Sequence, residues 1–432
     1  MSTNAREVAL EVLTACRKAD AWADGALKSA LSRAGLDSRD AAFAARLTYG
    51  VVQNRMLLDF RIGKYCKTGI RDLEPVILDI LRIGACQILL MDRVPPSAAV
   101  NQAVEMAKGH HRTRAAGLVN AILRNLIREK DTLPPVTDLS IQYSHPQWLV
   151  DTYITLLGRE EAERTLAENN RPVPMTIQRN PLRVSRDDLE AELPTAEPHP
   201  WLPDCYTLSG VGDLEALPAF QAGHFFVQDA AAKLVSLVSG CRSGDRVIDV
   251  CAAPGGKSFA MAMAMEDQGE ILSCDIHANK LRQVEQGAAR LGIRCIRTGQ
   301  ADGRVLREEL VQTADVVVCD VPCSGLGIIR KKPDIRYKRP EDLTGLPEIQ
   351  GAILANAANY VKPGGVLIYS TCTILPAENG QVVEAFLQKA PHFKKEPFSL
   401  PGPVGETAGE ITLWPQRHQT DGFYICKLRK QA

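Results

Sequence analysis

Two short apolar runs that end in cysteine turns constrain this chain more than any other feature. Residues 315–320 (DVVVCD) lead into Val321-Pro322-Cys323, and residues 364–369 (GGVLIY) lead into Ser370-Thr371-Cys372. Short runs rich in β-branched residues read as strands buried on both faces of a parallel sheet. A helical stretch at 346–360 lies between them, so the unit is β-α-β with a right-handed crossover. Neighbouring strands lie about 4.8 Å apart. Both cysteines then occupy loops at one carboxyl-terminal rim, where open α/β sheets place their chemistry.

A chain of 432 residues exceeds what one compact core holds, which implies two or three domains. The first residues, MSTNAR, lack the basic-then-apolar layout of a signal peptide. The longest apolar stretch, 76–91, carries Asp79 and Arg82 and is too short to span a bilayer. Twelve cysteines without a C-x-x-C pair argue against a zinc site or disulfide framework, and for a reducing cytoplasmic setting. No membrane partner is expected. Net charge is zero, yet residues 1–130 hold 20 Lys and Arg against 13 Asp and Glu, and residues 330–339 hold six basic residues against one acid. Basic segments beside a catalytic rim suggest a polyanionic substrate.

The chain divides into three regions. Residues 1–140 read as a helical bundle: Phe43, Leu47 and Val51 form one stripe, Leu118, Ile122 and Leu126 another. Pro75 suits a helix start, and Pro95-Pro96 closes the helix before it. The polar, proline-bearing stretch 131–140 marks a boundary. Residues 141–230 read as a small α/β adaptor with helices at 147–157 and 159–169, and strands MTIQRN and FFVQD around a helix near 185–193. From 231 to 432 strands VIDVC, ILSCD, CIRT, DVVVCD and VLIYS alternate with helices, a doubly wound α/β pattern closed by ITLWP and FYICKL.

After the first of these strands comes the loop DVCAAPGGKS, residues 249–258. Glycines let a backbone approach a ligand closely, and a helix N-terminus attracts negative charge. The ending Gly256-Lys257-Ser258 copies a P-loop, but Cys251 stands where the first P-loop glycine belongs, and no G-x-G-x-x-G is present. S-adenosylmethionine carries no phosphate and tolerates this loop. It calls for an acid at the end of the next strand to hold the ribose hydroxyls, and Asp275 stands there. Asp302, after the third strand, is placed for the adenine amino group. Singly, such acids are usually caps or turn residues. Together with the Gly-Gly loop they favour the cofactor.

A pyrimidine C5 is a poor nucleophile until a thiolate adds at C6, which is covalent catalysis in the general sense. The bland alternative is that Cys323 and Cys372 are small buried hydrophobes. The polar turns that hold them argue against it. The motifs DVCAAPGGKS, DVPCSGLGIIRKKPDI and YSTCTILPAEN resemble the cofactor, fourth and sixth motifs of the RNA cytosine-5 methyltransferases. The helical start resembles a NusB-type domain and Ser144-His145-Pro146-Gln147-Trp148 the family's connector. The whole is similar to the Fmu/Sun-type enzymes of 16S ribosomal RNA. The resemblance implies a Rossmann-like S-adenosylmethionine-dependent domain behind a NusB-like domain and the adaptor, acting on 16S ribosomal RNA, as a monomer. It makes Cys372 the nucleophile, where spacing alone leaves the choice open, and gives Cys323 a part in product release. Asp320 would bond the cytosine edge. Cys251, Ala252, Ala253, Pro254, Gly255, Gly256, Lys257, Asp275, Asp302 and Asp320 would hold the cofactor, with Lys257 also close to the catalytic rim. Tyr337 stands where many members have Trp, which implies a weaker stacking contact. A different class of function, an inactive RNA-binding assembly or antitermination factor, would have no need of the intact loop, acids and both thiols.

Overall fold

The computed structural model describes residues 4–19, 22–67, 69–210 and 212–432. Contacts divide the chain into two units: residues up to Arg171 with the returning segment Ile329–Lys338, and Pro172–Ile328 with Arg339–Ala432. The contact division therefore falls at 171/172, and the helices at 147–157 and 159–168 pack with the first unit.

The first unit is helical: α1 (Ala5–Ala19), α2 (Ala23–Ala34), α3 (Ser38–Gln53), α4 (Arg55–Gly63), α5 (Pro75–Leu90), α6 (Pro96–Gly109), α7 (Thr113–Glu129), α8 (Leu139–Tyr143), α9 (Gln147–Leu157) and α10 (Arg159–Glu168). Helix α5 starts on Pro75, whose missing N–H has no partner to lose there. It is apolar nearly all round, and Ile77, Ile80, Leu81, Ile83 and Ile88 are all buried. Each such side chain contributes roughly 1.5–3 kcal/mol on burial. Pro96 opens α6 at its first position; α5 has already ended at Leu90. The stripe on α7 is turned from the expected one: Leu118 is 40% exposed, while Val119, Ile122, Leu123 and Leu126 are buried. A strict four-residue repeat drifts off one face of a helix with 3.6 residues per turn, so Val119 takes the place given to Leu118.

One residue of the basic segment 330–339 has a structural role. Arg336 is fully buried, with 0% exposure. Its guanidinium donates to the carbonyls of Gln53, Tyr143, Ser144, Asn169 and Pro333 and to Asn170 Oδ1. Burial pushes its pKa down to about 10, which leaves it charged at neutral pH. Tyr337 donates its hydroxyl to Val52 O at 2.9 Å, and the Arg55 guanidinium lies 3.6 Å from its ring centroid. Arg330 pairs with Glu168. These side chains complete the helical unit, because a guanidinium fork can satisfy several orphan carbonyls at once.

The second unit opens with a small antiparallel sheet. Strands β1 (Met175–Arg179), β2 (Ala196–Pro198), β3 (Cys205–Leu208) and β4 (Phe225–Val227) run in the order β2-β3-β1-β4, with helices α11 (Arg186–Glu192) and α12 (Pro218–Gln221). Helix α13 (Ala230–Ser239) leads into β5 (Arg246–Asp249), α14 (Gly256–Ala264), β6 (Glu270–Asp275), α15 (Ala278–Leu291), β7 (Ile296–Gln300), β8 (Ala314–Asp320), α16 (Leu346–Ala358), β9 (Val361–Thr371) and α17 (Gly380–Lys389). Short strands β10 (Phe393–Lys395), β11 (Phe398–Leu400), β12 (Gly405–Thr407) and β13 (Glu410–Leu413), helix α18 (Pro415–His418) and β14 (Phe423–Lys430) close the chain.

The large sheet runs β10-β14-β9-β8-β5-β6-β7, with β13 beside β14. Strands β5 to β9 are parallel, and β14 returns antiparallel to β9. Val247, Val316, Val318 and Ile368 join the core with α13, α14 and α15; Ile248, Val317, Leu367 and Tyr369 join the other with α16 and α17. Alternate residues thus feed opposite cores, which is why the runs are apolar without alternation. The strand order reverses between β5 and β8, and ligands bind in the crevice outside the carboxyl ends at such a switch point.

Candidate active site

The loop after β5 turns into α14 through Gly255, at φ 109°. A Cβ at Gly255 would stand 2.5 Å from Phe259 Cζ, so both the backbone conformation and the space require glycine. A Cβ at Gly256 would meet Gln228 Nε2 at 3.3 Å. Gln228 is 6% exposed, and neither polar atom of its carboxamide has a hydrogen-bond partner. A buried amide without partners beside a bare backbone and a helix N-terminus fits a polar ligand. Behind the loop, Ser258 donates to Asp249 Oδ2 at 2.8 Å, and Ser273 and Ser258 share a 2.8 Å hydrogen bond. Asp249 is fully buried, and this raises its pKa to about 6.

Lys257, in the first turn of α14, reaches across the switch point to Asp320 at the end of β8, with Nζ 2.5 Å from Oδ2. Ser370, at the register position opposite Asp320, donates to its Oδ1 at 2.8 Å. Burial works to lower the Lys257 pKa, but the Asp320 carboxylate outweighs it and holds the ammonium above its usual range. The same ammonium lies within electrostatic reach of Cys372.

The two thiols meet. Cys323 Sγ and Cys372 Sγ are 3.3 Å apart, and both residues are half-buried. Parallel pairing of β8 with β9 in the register Asp320–Ser370 brings the two turns together. The hydrogen bond to Cys372 and burial both hold the Cys323 thiol well above the usual cysteine range. Gly327 N–H donates to Cys372 O, and Gly422 N–H to Gly327 O. A Cβ at Gly327 would fall 1.8 Å from Gly422 O.

Ala252, Ala253 and Pro254 complete the glycine loop, and Cys251 precedes them, its thiol pushed up by burial. Asp275 ends β6, and its Oδ1 accepts the His277 N–H at 2.9 Å. Asp302 follows β7; its carboxylate is held by the Arg304 guanidinium, which brings its pKa to about 2. Lys257, Asp320, Cys323 and Cys372 form one cluster, while Asp275 and Asp302 sit at successive strand ends beyond it. Gln228, Ser370 and Glu378 escaped the sequence reading. Gln228 lies within the predicted strand FFVQD and just past the observed β4, and Ser370 precedes the Thr-Cys turn; only strand register turns such neighbours into site residues.

A sheet of this order with a glycine loop at its switch point defines the Rossmann-like S-adenosylmethionine-dependent methyltransferases. The family model of 16S rRNA methyltransferase RsmB/F matches residues 237–429, that of the NusB family residues 3–128, and that of the RsmF/B-like ferredoxin-like domain residues 145–215. The chain is 33% identical to probable ribosomal RNA small subunit methyltransferase B of Bacillus subtilis, over 100% of this chain and 99% of the relative. It is 32% identical to ribosomal RNA small subunit methyltransferase B of Cronobacter sakazakii over 92% of each. It therefore belongs to the RsmB/F family, which uses S-adenosylmethionine. Among solved structures, the methyltransferase homolog protein from Pyrococcus horikoshii superposes with a TM-score of 0.60 at 26% identity, over 69% of this chain and 100% of that one. PH0851 shares the fold over 100% of both chains, with a TM-score of 0.81 at 24% identity.

Proposed function

We propose that this protein methylates C5 of one cytosine in 16S ribosomal RNA through a covalent bond between a cysteine sulfur and C6 of the base. The observation that carries the reading is the pair of sulfurs 3.3 Å apart, beside the Lys257–Asp320 ion pair. The relatives' small-subunit rRNA methyltransferase names support the substrate class.

Cys372 is the nucleophile of this reading. Its thiolate adds to C6, and the electron pair displaced from the C5–C6 bond makes C5 nucleophilic. Asp320, fixed by Lys257 and Ser370, meets the cytosine edge at N3 or N4 and favours addition. Once C5 carries the methyl group, its proton passes to solvent water, the electron pair of the C5–H bond re-forms the C5–C6 double bond, and the sulfur–C6 bond breaks to return the Cys372 thiolate. Cys323, held protonated by its neighbour, assists this release. S-adenosylmethionine supplies the methyl group. The loop 251–257 would hold the cofactor, with Asp275 serving its ribose hydroxyls and Asp302 its adenine amino group. The basic excess of residues 1–130 supports phosphate contacts that add affinity. A reducing cytoplasmic setting and a monomeric enzyme complete the proposal, and all twelve cysteines are free thiols.

Labelled methyl transfer to 16S RNA, located by bisulfite sequencing, tests the activity, and the cysteine variants test the route. Cys372→Ala should abolish both transfer and any RNA adduct. Cys323→Ala should accumulate a protein–RNA band that resists heat and detergent on a denaturing gel. An adduct with Cys372→Ala alone would reverse the two roles. RNA binding by the native chain without transfer would instead favour an inactive assembly factor.

A further inference from the structure

Glu378 lies behind the two cysteine turns, six positions after Cys372, and is 1% exposed. Among the described residues no Lys, Arg or His is paired with it. Instead its Oε2 accepts the Ser324 N–H at 2.8 Å and the Gln350 amide at 2.8 Å, and its Oε1 accepts the Thr373 hydroxyl at 3.4 Å. Gln350 also donates to Pro322 O at 3.0 Å, and the hydroxyls of Ser324 and Thr373 are 2.6 Å apart. Tyr369 donates to Glu378 O at 2.6 Å. One carboxylate thus grips the residue after Cys323, the residue after Cys372 and, through Gln350, the residue before Cys323. A buried carboxyl without a cation is costly unless its hydrogen bonds are well made. Here every bond that satisfies it also fixes one of the two turns.

We propose that Glu378 is a positioning residue that sets the distance between the Cys323 and Cys372 sulfurs by bonding both turns from behind. It touches neither sulfur and takes no part in proton transfer. The inference rests on the thiol chemistry proposed above. Its geometry explains how two loops from different strands hold sulfurs in contact, although strand pairing ends at Asp320 and Ser370.

The substitutions separate geometry from charge. Glutamine at 378 can keep its carbonyl oxygen on Ser324 and Gln350 and turn its amide toward the Thr373 oxygen, so Glu378→Gln should hold the turns; Glu378→Ala cannot. The readout is capture of the dithiol by phenylarsine oxide, in which two As–S bonds form and one water leaves, with Cys372→Ala protein as the background. Capture should slow about 10-fold or more in Glu378→Ala and change less than about threefold in Glu378→Gln. The turnover number for RNA methylation should fall in parallel by about 10- to 100-fold in Glu378→Ala, as for a misplacement near 1 Å. S-adenosylmethionine affinity should stay unchanged in both. Thr373→Val, which removes one link only, supplies a milder variant should the alanine protein fail to fold, and should slow capture by an intermediate factor. Capture at the wild-type rate in Glu378→Ala or Thr373→Val would overturn the proposal, as would equal losses in the Gln and Ala variants. Capture needs no RNA, so a wild-type enzyme that fails to methylate RNA would sink the function and leave the positioning claim to its own result.

Discussion

At the scale of single residues, the site depends on charges kept where burial disfavours them. Asp249 illustrates the consequence for stability. Burial raises its pKa from 3.8 to about 6 in the folded protein. Between those values the folded state binds more protons than the unfolded state, so stability falls as pH rises through this window. The cost is absent below pH 4 and complete above pH 6, where a shift of this size corresponds to at most about 3 kcal/mol. Asp249→Asn removes the titration. The stability of the variant relative to wild type should therefore rise from pH 4 to pH 6.5 and then level, as followed by urea unfolding of the methyltransferase unit. A difference that stays flat with pH would mean that Asp249 does not titrate there. Lys257 shows the opposite balance: Asp320 compensates its burial, so its ammonium persists. The ordinary sequence pattern Gly-Gly-Lys-Ser does not reveal which of these balances holds.

At the scale of elements, the cysteine turns are locked by backbone as well as by side chains. The turn after β8 donates from Gly327 to the carbonyl of Cys372 and accepts from Gly422, just before β14. This three-way contact has no room for a side chain, since a Cβ at Gly327 would lie 1.8 Å from Gly422 O. Gly327→Ala must move the turn or the start of β14, and the neighbour is backbone that cannot swing aside. We expect methyl transfer to fall by about 100-fold while S-adenosylmethionine binding, measured by calorimetry, changes little, because the cofactor loop lies after β5. Full activity in Gly327→Ala would show that the observed turn geometry is not needed. The strands themselves were legible from the sequence: DVVVCD and VLIYS are apolar on both faces because both faces are covered. The close approach of three loops was not, since glycine at 327 reads like any turn glycine.

At the scale of the whole molecule, the segment Ile329–Lys338 leaves the methyltransferase unit and completes the helical one. Arg336 is the centre of that insertion. Arg336→Met would take the donor from the carbonyls of Gln53 and Ser144 in a buried site, whereas Tyr143 O keeps the Asn170 amide and Asn169 O the Gln53 amide. Unsatisfied buried acceptors cost about 1–3 kcal/mol each, and a total near 3 kcal/mol or more is expected after relaxation. Differential scanning calorimetry should show the helical unit melting several degrees earlier. A melting profile identical to wild type would exclude the buried guanidinium as a stabilising centre. Of the six basic residues in this segment Arg336 alone is buried, while Lys332 and Arg339 are exposed.

The sequence by itself determined the α/β alternation, the glycine loop at the switch point and the two thiol turns, because buried parallel strands and φ-positive glycines leave local patterns. It also carried the motifs that mark the family. Tertiary structure alone decided that the sulfurs lie 3.3 Å apart, that Ser370 and Lys257 share Asp320, and that Glu378 bonds both turns. It likewise placed Arg336 in an interior rather than on a surface. These contacts join residues tens to hundreds of positions apart. Their distances follow from strand register and close packing, which no local pattern of residue types records.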